Sequence, residues 1–136
     1  MRADDFKSRV ERVEYSVLAS DPMAIVKSLQ ETLAGEVFAL TQWIGAWLRK
    51  PYTTPPVVSV YVPAEVVSRF ELGRRVEGGG NLWLLVPKDR GVFQGQRAVS
   101  GLPVVSDSQI YLDLVASGLR GPEAAEALRE WEEFAK

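Results

Sequence analysis

The chain contains no cysteine and no histidine. Without cysteine there can be no disulfide, no thiolate nucleophile and no Cys-type zinc site. Without histidine the usual general base near neutral pH and the commonest metal ligand are missing. Any bond-making chemistry would fall to Asp, Glu, Lys, Ser and Tyr alone. No catalytic residue, metal ligand or cofactor is therefore assigned. Charge of one sign is also lacking: 16 Lys and Arg face 18 Asp and Glu, a net charge of −2. Such a balance exerts no bulk pull toward nucleic acid or anionic membrane. No apolar run has the length of a membrane span, and no basic-then-apolar signal segment is present. No membrane partner is expected, and a cytoplasmic location is. Internal repeats and low-complexity tracts are absent. The only D/E-x-K tripeptide, Asp5-Phe6-Lys7, lies in a polar terminus rather than on an apolar strand.

What is there is a well-punctuated alternation of strands and helices. At 136 residues, one domain is expected, long enough to bury about two-thirds of its unfolded surface. Residues 1–11 read as a polar lead-in or linker remnant, and 12–136 as the domain, with a strand over 12–18. Asp21 and Pro22 have the N-cap and N1 identities of a helix carrying Val26, Leu29 and Leu33, closed by Gly35. A short strand follows over 36–40. Thr41 would cap a helix on which Trp43 and Trp47 pair at i, i+4 beside Ile44 and Leu48, with Gly45 permitting close approach of another backbone. That double-Trp face has the composition of a base-stacking surface, but its helical spacing beside Ile and Leu favours a core face. Pro51 ends the helix.

Residues 57–62 are almost continuously apolar, the mark of a strand covered on both faces. Pro63 opens a third helix. Residues 74–77, Gly78-Gly79-Gly80 and 81–86 then read as a β-hairpin. A phosphate cradle would need the glycines to run into a helix N-terminus, and they run into a strand-like segment instead. Residues 87–101 read as a surface loop or weak edge strand. The expected fold is α/β (α+β): a mixed sheet with a hairpin at about 74–86, flanking helices, and two consecutive C-terminal helices.

That C-terminal pair has the strongest signals. Ser106 and Gln109 have the S-x-x-Q spacing of a capping box, with Val105 and Ile110 as a hydrophobic staple. Ile110, Tyr111, Leu114 and Val115 carry the first helix toward Gly118. Gly121 and Pro122 are then N-cap and N1 of the second helix. Ala124, Ala125, Leu128, Trp131 and Ala135 give that helix one apolar face, expected to run over 123–134. Asp113 is an acid inside an apolar run. Either it faces solvent or it forms a structural ion pair, with Arg120 the nearby candidate.

The run V-V-S-x-x-Q-I-Y-L-D-L, followed by R-G-x-E-A-A-E-A-L-R, resembles the C-terminal end of AbiEi-type antitoxins. These are the antitoxin halves of type IV toxin–antitoxin (abortive infection) systems. Upstream, F-A-L-T with its short Trp-containing helix and Y-T-T-P-P-V-V-S-V-Y-V-P are similar to the same family. The likeness extends over residues 13–128 and rests mostly on structural positions. It implies a non-enzymatic interaction domain that binds and neutralises a nucleotidyltransferase-type toxin. Family members carry an N-terminal winged helix for promoter DNA. This chain departs from them there, so direct DNA binding by this chain alone is not expected.

The middle of the chain is locally basic: Arg69, Arg74, Arg75, Lys88, Arg90 and Arg97 outnumber Glu71, Glu77 and Asp89. This region is the expected contact for an acidic partner, because the guanidinium fork matches carboxylates bidentately. The alternative is a nucleic-acid-binding transcriptional regulator that uses the same basic hairpin.

Overall fold

Alternating apolar residues in seven short segments build one mixed sheet. The structure is a computed structural model, and it describes residues 10–19, 21–49, 54–88, 90–117, 121–131 and 134–135. In chain order the elements are β1 (Val10–Ser16), α1 (Pro22–Thr32), β2 (Ala39–Thr41), α2 (Gln42–Arg49), β3 (Val58–Tyr61), α3 (Ala64–Val67), β4 (Arg74–Val76), β5 (Leu82–Pro87), a 3-10 turn (Arg90–Phe93), β6 (Arg97–Val99), β7 (Leu102–Val104), α4 (Asp107–Val115) and α5 (Gly121–Arg129). The strand order is β4-β1-β5-β3-β2-β7-β6. β3 runs parallel to β5, and β2 parallel to β7; the remaining pairs are antiparallel.

Pairing register sorts the side chains onto two faces. Val13, Leu82, Leu84, Val58, Val60 and Leu40 share one face. All are buried. This apolar face is covered by α1, which packs on β3, and by α3, which packs on β5. Asp21 caps α1 as expected, its Oδ1 accepting from Ala24 N at 2.9 Å. Phe70, just beyond α3, meets Tyr15 edge-on at 4.9 Å. The opposite face presents Thr41, Ser59, Tyr61, Trp83, Leu85 and Arg12. Over β2 and β3 it is covered by α2 and α4, and α5 packs on both of those helices.

The expected hairpin at 74–86 is not formed. β4 and β5 both pair antiparallel with β1, which lies between them. They therefore run parallel to each other, the opposite of a hairpin. The glycine run is the means of crossing. A Cβ at Gly80 would stand 2.7 Å from the Tyr15 carbonyl oxygen, so only glycine lets the chain pass this close to β1. Gly80 N donates to Glu14 Oε1 at 3.0 Å, and the Asn81 side chain brackets Val17, accepting from its N–H and donating to its C=O, both at 2.9 Å. The glycine run therefore carries the chain across β1 instead of reversing it, because a strand from far upstream lies between β4 and β5.

Three further expectations are corrected. Thr41 does not cap a helix; it ends β2, and Gln42 opens α2 with φ +54. The capping box is half formed: Ser106 Oγ accepts from Gln109 N at 3.2 Å, but the Gln109 amide turns away from Ser106 to donate to Asp113 Oδ1 at 2.8 Å. A buried carboxylate is a stronger acceptor, and that contact wins over the reciprocal cap. The last helix stops at Arg129 rather than near 134. Beyond it the chain turns back, bringing Phe134 against Tyr111 (6.3 Å) and donating Ala135 N–H to Asp107 Oδ2 at 2.8 Å. Gly121 and Pro122 open α5 within a residue of the expected register. A Cβ at Gly121 would overlap the Leu114 carbonyl oxygen, so glycine permits the tight stacking of α5 on α4. Residues 1–9, Pro51, Gly118 and Arg120 lie outside the described residues.

Candidate functional site

The six basic residues assigned to partner binding do not form one patch. Arg74 and Arg75 are exposed on β4, the outer edge of the sheet. Neither has an ion pair among the described residues. Arg97 is on β6, the opposite edge. Six strand spacings at about 4.8 Å each separate the two edges by roughly 29 Å. Arg97 also stands 3.8 Å from the Asp107 carboxylate, a structural engagement. Arg69 pairs with Glu36 at 2.6 Å, and Lys88 is exposed beyond β5. The backbone of Arg90 lies in the 3-10 turn between β5 and β6; its side chain is outside the description. The free cationic edge is thus Arg74 and Arg75. The Trp pair is not available for stacking bases as a unit, because Trp43 is only 4% exposed, in the core under α2.

The face under α2 and α4 carries two buried acids, Asp113 and Asp107. Asp113 is fully buried, not solvent-facing. Its Oδ2 accepts from Thr41 Oγ1 at 2.5 Å and Tyr61 OH at 2.9 Å, and its Oδ1 from Gln109. Gln42 Nε2 donates to the Asp113 carbonyl at 3.3 Å, and Gln42 Oε1 accepts from Ser59 Oγ at 2.5 Å. Among the described residues the partners of this carboxyl are all neutral. Burial pushes it up to about 6, against the lowering effect of the Thr41, Gln109 and Tyr61 donors. The same surroundings raise the Tyr61 phenol, by burial first and then by the neighbouring carboxylate. A hydroxyl that cannot ionise stays a donor, which is what the carboxylate needs.

Asp107 received no role in the sequence analysis. It is buried at the start of α4 and is held by Arg49 in a bidentate fork, Nε to Oδ1 at 2.7 Å and Nη2 to Oδ2 at 2.9 Å. Burial pushes this carboxyl up. The Arg49 hydrogen bonds, the Ala135 N–H and the charges of Arg49 and Arg97 outweigh that and hold it below the usual carboxylate value. Arg49 also lies over the Trp131 ring at 4.8 Å. This hub ties α2, α4 and the C-terminal segment together. The available signal was an Asp at the first helical position, which sequence alone reads as dipole compensation.

Among the described residues no group of three or more acids is placed to hold a metal ion, and no helix is long and apolar enough to cross a membrane. No protein-family model, curated protein or solved structure matches this chain.

Proposed function

We propose that this chain is a non-enzymatic, antitoxin-like interaction domain that binds and neutralises a nucleotidyltransferase-type toxin in the cytoplasm. The observation that carries the reading is Arg74 and Arg75: exposed arginines at consecutive positions of the outermost strand, one on each side of the sheet edge, with no ion pair among the described residues. A toxin of that class holds its metals on clustered carboxylates, and each guanidinium is suited to engage a carboxylate bidentately. The resemblance of residues 13–128 to AbiEi-type antitoxins supplies the partner class. The dispersal of the other cations and the burial of Trp43 disfavour the alternative, a regulator that grips nucleic acid through one basic hairpin.

The test is capture of a nucleotidyltransferase-type toxin by this chain, followed by titration of toxin activity. Wild-type protein should bind and restore growth. The double variant R74E/R75E should lose about tenfold or more in affinity, the scale of one charge-assisted pair at an interface. Equal binding by that variant would end the edge-docking reading. Binding to duplex DNA that falls steeply with salt, with no toxin capture, would replace it with the regulator.

A further inference from the structure

Strand β4, at one end of the strand order, pairs only with β1. Which of its backbone groups that pairing uses can be followed across the sheet. Val58 N and Val62 N donate to the carbonyls of Asn81 and Leu85 at 2.9 and 3.0 Å. The odd positions of β5 thus turn toward β3, and Leu82, Leu84 and Val86 turn toward β1. Their register partners there are Tyr15, Val13 and Glu11. The even residues Glu14 and Ser16 therefore turn toward β4, where they lie opposite Val76 and Arg74. Arg74 and Val76 are spent in that ladder. The N–H and C=O of Arg75 point away from the sheet and have no partner among the described residues.

Charged side chains flank this open pair on both sides. Arg75 lies opposite Tyr15 and projects on the face under α1 and α3; Arg74 lies opposite Ser16 and projects on the other. Both are exposed, and neither has an ion pair among the described residues. A short, charged edge strand is a common guard against edge-to-edge aggregation. Here the guard has one sign. A second copy of β4 laid antiparallel about Arg75 would set that arginine against its own counterpart, and like charges directly opposite are destabilising. A strand of opposite charge meets the reverse condition. Exposed Glu77, one position past the strand, would repel a third acid and so limits the match to two.

We propose that this edge takes up an extended acidic segment of a partner protein as an added strand. The segment's backbone pairs with Arg75 N–H and C=O, and two consecutive carboxylates meet Arg74 and Arg75, one on each face of the sheet. In strand addition, main-chain bonds supply affinity and alternating side chains supply selectivity. The proposal deepens the antitoxin reading, on which it rests for the identity of the partner, by giving the manner of docking. A folded acidic surface that met the two side chains alone would leave the Arg75 backbone unused.

The test needs no toxin, so its failure leaves toxin capture to its own assay. The probe is the peptide acetyl-Thr-Val-Asp-Glu-Val-Thr-amide, titrated into the 15N-labelled full chain, with the Asn-Gln peptide as the neutral counterpart. The Arg75 amide resonance should move saturably with the acidic peptide and much less with the neutral one. Arg75→Gln should weaken the acidic peptide about threefold, the scale of one exposed cross-strand ion pair. Arg75→Pro should weaken it about fivefold further, because it also removes the outward N–H. Proline suits an edge position whose N–H faces solvent. Should that variant not fold, N-methylating every peptide nitrogen of the probe breaks the same pairing with the wild-type chain. An Arg75 amide unmoved by the acidic peptide would overturn the proposal. So would equal binding by the Pro and Gln variants, by the N-methylated and unmodified peptides, or by the acidic and neutral ones. Self-association of the chain that Arg75→Pro abolishes would overturn it in favour of a second copy at this edge.

Discussion

The two faces of the sheet are built by different physics. The face under α1 is held by shape and area alone: Leu82, Leu84, Val58, Val60 and Leu40 are fully buried, with no polar side chain among them. The face under α2 and α4 buries Thr41, Gln42, Ser59 and Asp113 as completely, and every one of them is hydrogen-bonded. An apolar core tolerates repacking at similar volume, whereas a satisfied polar network tolerates few alternatives. The first face gives the fold its stability. The second fixes which helix sits where, and the groove lined by Arg12, Gln42 and Trp83 opens on that side.

The comparison can be broken by substitution. On the apolar face, Leu84→Ala removes a fully buried side chain from a central strand and should cost about 3–5 kcal/mol in denaturant unfolding. A cost near 1 kcal/mol, the middle of the range for ordinary point changes, would mean that this face relaxes and is not the rigid one. On the polar face, Arg49→Ala leaves the Asp107 carboxylate buried with, among the described residues, the Arg97 guanidinium at 3.8 Å and the Ala135 N–H. It should cost about 3 kcal/mol, the lower end for breaking a buried pair.

The two buried acids should then respond to pH with opposite sign. Asp113 has its folded value raised from 3.8 to about 6, so the folded chain holds this proton more tightly than the unfolded one. Its contribution to stability is full below the unfolded value and is lost as pH rises through about 6, a swing of about 3 kcal/mol. Asp107 is held below 3.8, so its contribution is present above the unfolded value and is lost as pH falls through the folded one. Asp113→Asn should remove the slope between roughly pH 4 and 6 while the Gln109 amide rotates to accept from the new one. Urea midpoints measured across that window check it; an unchanged slope would assign the titration elsewhere. The smallest effect is at the sheet edge. R74E/R75E should stay within about 0.5 kcal/mol of wild type, so that any loss of partner binding reads as recognition rather than unfolding.

Much of the architecture is legible in the residues. Asp21-Pro22, the apolar blocks 57–62 and 82–86, Ser106 and Gly121-Pro122 all mark their elements, because capping and burial are local or periodic demands. The residues assigned to partner binding were legible only as composition. A count of arginines along the chain cannot show that Arg74 and Arg97 end on opposite edges of one sheet. The misread hairpin has the same origin: 74–86 contains every local signal for a turn, and nothing local announces that residues 10–16 will insert between its arms.

By itself, then, the sequence determined the kinds of element, their caps and the strands buried on both sides, since each follows from neighbours within a few residues. Only the tertiary structure decided the strand order, the partners of Asp113 and Asp107, the strained conformation of Gln42 and the groove beside Trp83. The Thr41–Asp113 contact alone spans 72 positions along the chain, and no local preference can encode a contact whose other half lies that far away.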